Sequence, residues 1–181
     1  MEPIDPLAPL TPPEGGDHED SIDRIRRAWS SLRPEMDTSV VGTIGRIIRA
    51  SRHIVMLSDE ALEQFDINRG EFDVLSALRR SAVPLTASEL ARSLVTSNAA
   101  ITKRMVQLER SGLAVRERDD RDGRVVRLTL TPAGVDLIDV AVPAQLAFEE
   151  SVAAVIAEPR REQLEETMRI LLAELERRTA D

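Results

Sequence analysis

The chain has 181 residues, a formal charge of −8, two histidines and no cysteine. That length suits one domain with a good core, or one domain and a tail. The absence of cysteine excludes disulfides, thiolate metal sites and cysteine-based oxidant sensing; no apolar run approaches the roughly 18 residues of a membrane span, so no membrane partner is expected and the cytoplasm is the expected compartment.

Residues 1–20 are rich in proline and carboxylates, contain the pair Gly15-Gly16 and have no periodicity. They predict a disordered acidic arm, not a signal peptide. Ile22, Ile25, Trp29 and Leu32 then fall at i, i+3, i+7 and i+10, which predicts a short helix from Asp20 to Leu32 stopped by Pro34. Trp29 is the one tryptophan, and on spacing alone it is a packing anchor. The segment Asp37-Thr38-Ser39 offers a cap for a second helix reaching about Phe65, with Val41, Ile44, Ile48, Val55 and Leu62 as its apolar positions. A helix of that length is expected to cross a dimer. Gly42 and Gly45 suit close helix packing; no strand precedes them, so they do not form a nucleotide loop. Arg46, Arg49 and Arg52 form a row read as a solvated face. His18 and His53 alone make neither a metal site nor a catalytic base.

A third helix is predicted from Asn68 to Ser81, opened by an Asn68/Glu71 capping box. Phe72, Leu75 and Leu78 face inward, and Asp73 lies early enough to be favoured by the helix dipole. The stretch 85–131 then reads as two short helices followed by two strands. Thr86 and Glu89 form another capping box, with Leu90 and Leu94 on one face. Val95, Thr96 and Ser97 make a turn into the next helix, where Ala100, Ile101, Met105 and Leu108 mark a buried face. Its other face carries Ser97, Asn98, Thr102, Lys103 and Gln107, groups suited to base edges and phosphates. Gly112 ends that helix. Val126, Leu128 and Leu130 alternate with Arg127 and Thr129 in a strand, and Asp122-Gly123 signals a hairpin. Arg121 and Arg124 fall at or near its tip, where an arginine on a narrow ribbon suits a DNA minor groove. Helix, helix and hairpin in this order predict a winged helix-turn-helix.

From Val135 to Ala157 another helix is expected, kinked or interrupted at Pro143. Pro159 should open a last helix, whose Leu164, Met168, Leu171, Leu172 and Leu175 form a stripe that needs a partner. Together with the first helix it is assigned to a dimer interface. The net charge argues against nucleic acid, but its distribution reverses that. Between Val83 and Thr131 nine basic residues face six acidic ones, so a module of +3 sits on a body of −11. Such asymmetry orients approach to a duplex.

The motifs LTASELARSL, TKRMVQLERSGLAVRE, DDRDGR and TPAG together resemble the MarR family of transcriptional regulators. The resemblance extends from about residue 21 to the C-terminus. It implies a mostly α fold with a small β-wing, set on a helical dimerisation body, with a homodimer that binds palindromic double-stranded DNA. The wing pair of that family corresponds here to Asp122 and Arg124. The runs WSSLRPEMDTS, IGRIIRAS and GEFDVLSALRR, and the extra first helix, resemble the urate-responsive, PecS-like branch. That resemblance, not spacing, implies Trp29, Asp73, Arg104 and Arg116 as a ligand site for a small planar anion such as urate. No other cofactor is implied. The organisation expected is an arm at 1–20, helices for dimerisation and the pocket at 21–68, a winged DNA-binding unit at 69–131 and C-terminal dimerisation helices at 132–181. A ligand-responsive repressor is the leading reading. A winged-helix module for protein–protein contact and an effector-independent regulator are its alternatives. An enzyme is disfavoured: there is no paired histidine, phosphate loop or nucleophile elbow.

Overall fold

The computed structural model describes residues 19–118 and 125–179. Seven α-helices and three short strands run in the order α1 (Ser21–Leu32), α2 (Val41–Leu62), α3 (Arg69–Arg80), β1 (Leu85–Thr86), α4 (Ala87–Ser93), α5 (Asn98–Arg110), β2 (Ala114–Arg118), β3 (Val126–Leu130), α6 (Pro132–Ala153) and α7 (Arg160–Thr179). A short 3-10 turn, Glu63–Phe65, carries α2 to the end anticipated from its apolar spacing; its start differs, at Val41 after Val40, with no side-chain cap from the Asp37-Thr38-Ser39 segment. The fold is therefore the mostly helical one with a small antiparallel sheet. Both predicted capping boxes form: Asn68 accepts from the Glu71 amide at 3.0 Å, and Thr86 from the Glu89 amide at 3.2 Å. A third caps α1, where Asp20 accepts from the amides of Ile22 and Asp23.

The core lies where α3, α4, α5, the sheet and α6 converge. Leu75, Leu90, Ile101, Leu108, Leu128 and Ile138 are its fully buried centre. The sheet order is β1-β3-β2, with Leu85 opposite Leu128 and Arg116 also opposite Leu128 on the other side. The two-residue β1 was not anticipated; it is too short to show an alternation. Three further differences concern the C-terminal part. Helix α6 begins at Pro132, capped by Thr131, and so three residues early. It runs unbroken through Pro143. Pro143 is exposed, so the carbonyl it leaves without a donor faces solvent, where the loss is tolerable. Helix α7 starts at Arg160, one residue after Pro159.

The helical body is thinly covered. Helix α1 buries only Ile22, and α7 buries nothing. Ile25, Ile44, Ile48, Val55, Leu164, Ile170, Leu172 and Leu175 are all exposed. The row of arginines on α2 is not simply solvated. Arg46 donates from Nε to Asp20 and from Nη2 to Asp23, both at 2.7 Å, and so pins the start of α1 to α2. No helix among the described residues is long and apolar enough to cross a membrane.

Candidate nucleic-acid interface

The helix with the polar face, α5, is fixed from below by Ile101, Met105 and Leu108, all buried. Its start is set by Ser97, whose Oγ accepts the Ala100 amide at 3.1 Å. Its end is a Schellman closure. Gly112, at φ 72°, takes the left-handed conformation, and the Leu113 amide returns to the Leu108 carbonyl at 2.9 Å. Asn98, Thr102, Lys103 and Gln107 are left exposed together. The Thr102 hydroxyl donates to the Asn98 carbonyl at 2.8 Å, and Ser97 is occupied as the cap. Lys103 and the Asn98 amide group make no hydrogen bond or ion pair among the described residues, which leaves them for a ligand.

The turn between α4 and α5 is unusual. Val95 sits at φ 48° and is 83% exposed, a left-handed conformation that a β-branched residue rarely takes. It follows from the tight closure of α4, in which the Thr96 amide reaches the Ala91 carbonyl at 2.9 Å. The Glu89 carboxyl in the α4 cap is held below its usual range, first by the Thr86 amide. Beside α5, strand β2 of the β2-β3 ribbon presents Arg116 and Arg118 exposed. The residues expected at its tip, Arg121, Asp122 and Arg124, lie outside the described residues.

The four ligand candidates occupy different places. Trp29 is on α1 and 44% exposed. Asp73 lines a cleft of about 290 Å³ between α3 and α6, with Phe72, Val142 and Leu146. Arg104 lines a second cleft of about 560 Å³ between α3 and α5, with Asn68, Glu71 and Lys103. Trp29 and Arg116 line neither of these clefts, and Arg116 is ion-paired with Glu109 of α5. Asp73 and Arg104 thus line two clefts that share α3, and neither of these two clefts is lined by all four residues.

One residue absent from the sequence reading ties these parts together. The Arg69 amide donates to Asp59 of α2 at 2.6 Å, its Nε to Asp73 at 2.9 Å and its Nη1 to Glu149 of α6 at 3.2 Å. Beneath it, Ser58 of α2 donates to Gln145 of α6 at 2.9 Å, both buried. The i, i+4 spacing of Arg69 and Asp73 was a visible signal; the contacts to α2 and α6 were not. Among the described residues no group of His, Cys, Asp or Glu is placed to hold a metal ion.

Comparison with known proteins accords with this architecture. The sequence model of the MarR family matches residues 65–125, from the end of the 3-10 turn to the start of β3. The HTH-type transcriptional regulator PecS of Dickeya dadantii is 28% identical over 158 residues, covering 86% of this chain and 93% of that protein. An HTH-type transcriptional regulator of Bacillus cereus is 35% identical over 106 residues, covering 59% of this chain and 69% of the relative. Among solved structures, the S. aureus MepR–DNA complex superposes with a TM-score of 0.66 at 25% identity, covering 73% of this chain and 98% of MepR. With its helix-turn-helix, its β-ribbon and these relatives, the chain belongs to the MarR family of DNA-binding transcriptional regulators and is PecS-like.

Proposed function

We propose that the chain is a ligand-responsive repressor that binds a palindromic operator as a homodimer and is released by a small planar anion such as urate. The observation that carries the reading is α5: a helix buried on one side that presents Asn98, Thr102, Lys103 and Gln107 together on the other. Base edges and phosphates are what that set of groups matches. The wing residues Arg121, Asp122 and Arg124 extend the interface on the sequence resemblance alone. The dimer is supported by the uncovered apolar residues of α1, α2 and α7, which a second copy related by a two-fold axis covers without a new partner. Two-fold symmetry in the protein asks for symmetry in the operator.

The effector reading rests on the PecS-like resemblance and on the chemistry of Trp29, Asp73, Arg104 and Arg116. Asp73 is already paired with Arg69, so an anion entering beside it competes for Arg69 as well as repelling the carboxylate. Release then follows only from a difference in affinity between the free and operator-bound states. The dispersal of the four residues over separate places favours one second reading, an effector-independent regulator of the same fold.

The operator reading is tested by anisotropy with a labelled duplex from the upstream region of the chain's own coding sequence. Two chains should bind per duplex, with log K falling against log salt at a slope of several, and Lys103→Ala should lower that slope by about one. A flat dependence would contradict direct DNA reading and put a protein–protein role first.

A further inference from the structure

Gly70 is the second residue of α3, and the guanidinium of Arg104 from α5 lies directly over it. A Cβ added at Gly70 would stand 2.6 Å from Arg104 Cζ, far inside van der Waals contact. The backbone at Gly70 is ordinary helix, so nothing in its conformation calls for glycine, and glycine inside a helix is about 1 kcal/mol less favourable than alanine. Arg104 is half-buried and makes no hydrogen bond or ion pair among the described residues. It sits at the positive end of the α3 dipole, a poor place for a cation. Glu71 lines the same cleft, but its carboxyl accepts the Asn68 amide in the capping box. What keeps the guanidinium there is the flat seat that a missing side chain provides. The residue before the seat is Arg69, whose amide and side chain are bonded to α2 and α6. One helical turn therefore holds the body through Arg69 and receives the reading helix at Gly70.

We infer that Gly70 is a positioning residue for DNA recognition: by seating Arg104 on the first turn of α3, it sets the angle of α5 against the helical body. This rests on α5 being the DNA-reading helix. The substitution that tests it is Gly70→Ala. The added methyl meets the far end of a flexible side chain, so Arg104 swings away while the backbone of α3 stays in place. The melting temperature holds or rises, because alanine favours the helix. Affinity for the duplex from the upstream region falls about tenfold, within the range by which residues along coupling networks shift affinity. In Arg104→Ala the salt slope stays that of the wild type, since Arg104 in its cleft neutralises no phosphate. Arg104→Ala weakens binding to a similar extent. The double variant is no weaker than Arg104→Ala alone, because both changes remove one contact; independent effects would instead multiply to about a hundredfold. Wild-type affinity in Gly70→Ala, multiplied losses in the double variant, or a drop in melting temperature that accompanies the weaker binding would each overturn the seat. A wild-type protein that binds the duplex with flat salt dependence would instead remove the DNA reading beneath it.

Discussion

Ser58→Ala probes the joint between α2 and α6 on which α3 rests. Ser58 is 0% exposed and Gln145 2% exposed, and the Ser58 hydroxyl donates to Gln145 Oε1 at 2.9 Å. Gln145 Nε2 is separately occupied by Glu149 at 3.0 Å, so the amide cannot turn over to compensate without losing that bond. Removing the hydroxyl leaves a buried carbonyl oxygen without its donor, which costs about 1–3 kcal/mol. For a chain of this size each kcal/mol lowers the melting temperature by about 2–4 °C, so a mid-range loss of about 2 kcal/mol predicts a fall of about 4–8 °C. Thermal unfolding followed by circular dichroism at one fixed protein concentration measures it, because association would itself shift the midpoint. Replacing both partners, as Ser58→Ala with Gln145→Leu, removes the orphaned oxygen and should restore most of the loss. If Ser58→Ala melts within about 1–2 °C of wild type, as a surface substitution would, the bond does not hold the joint. The same conclusion follows if the double variant is worse than the single.

Leu172→Glu places a charge on the uncovered stripe of α7, where Leu172 is 54% exposed; burying it in an apolar contact costs several kcal/mol, so sedimentation should show the dissociation constant of the proposed dimer raised about a hundredfold. The Arg46 side chain, hydrogen-bonded to Asp20, lowers the Asp20 carboxyl from 3.8 to about 2. Because the folded value lies below the unfolded one, the tether of α1 is present above about pH 4 and lost as pH falls towards 2; Trp29 emission should shift in that window and not above it, and Asp20→Asn should remove the tether's share of the shift. Val95→Gly relieves a left-handed β-branched residue worth about 1–2 kcal/mol against a glycine entropy cost of about 0.5–1 kcal/mol, so chemical denaturation should find the variant as stable as wild type or slightly more so; a clear loss would show that the turn is not strained.

What was legible in the sequence was local. Thr86 with Glu89, Asn68 with Glu71, and Gly112 each act within one helical turn, and each does in the structure what its spacing predicted. The apolar periodicities placed Leu90, Ile101, Met105 and Leu108 in the core for the same reason. What escaped was long-range or too short. Arg46 meets residues 23 and 26 positions away, and Ser58 meets one 87 positions away; no periodicity encodes such partners. Strand β1 has two residues and exists because Leu85 finds Leu128 across the sheet. Proline at 143 predicts a break by its chemistry, but its exposed side of α6 makes the missing bond inexpensive. At the candidate site, the exposed face of α5 was readable as amphipathicity. The seat of Arg104 on Gly70 was not, since the glycine carries no conformational signal of its own.

The most direct test of the account is a titration of urate into the protein bound to a labelled duplex from its own upstream region, followed by anisotropy. Release is expected at sub-millimolar to millimolar urate, weakened by Arg116→Ala. Retention of the complex at saturating urate would contradict the effector reading and leave a DNA-binding regulator that either responds to another planar anion or responds to none.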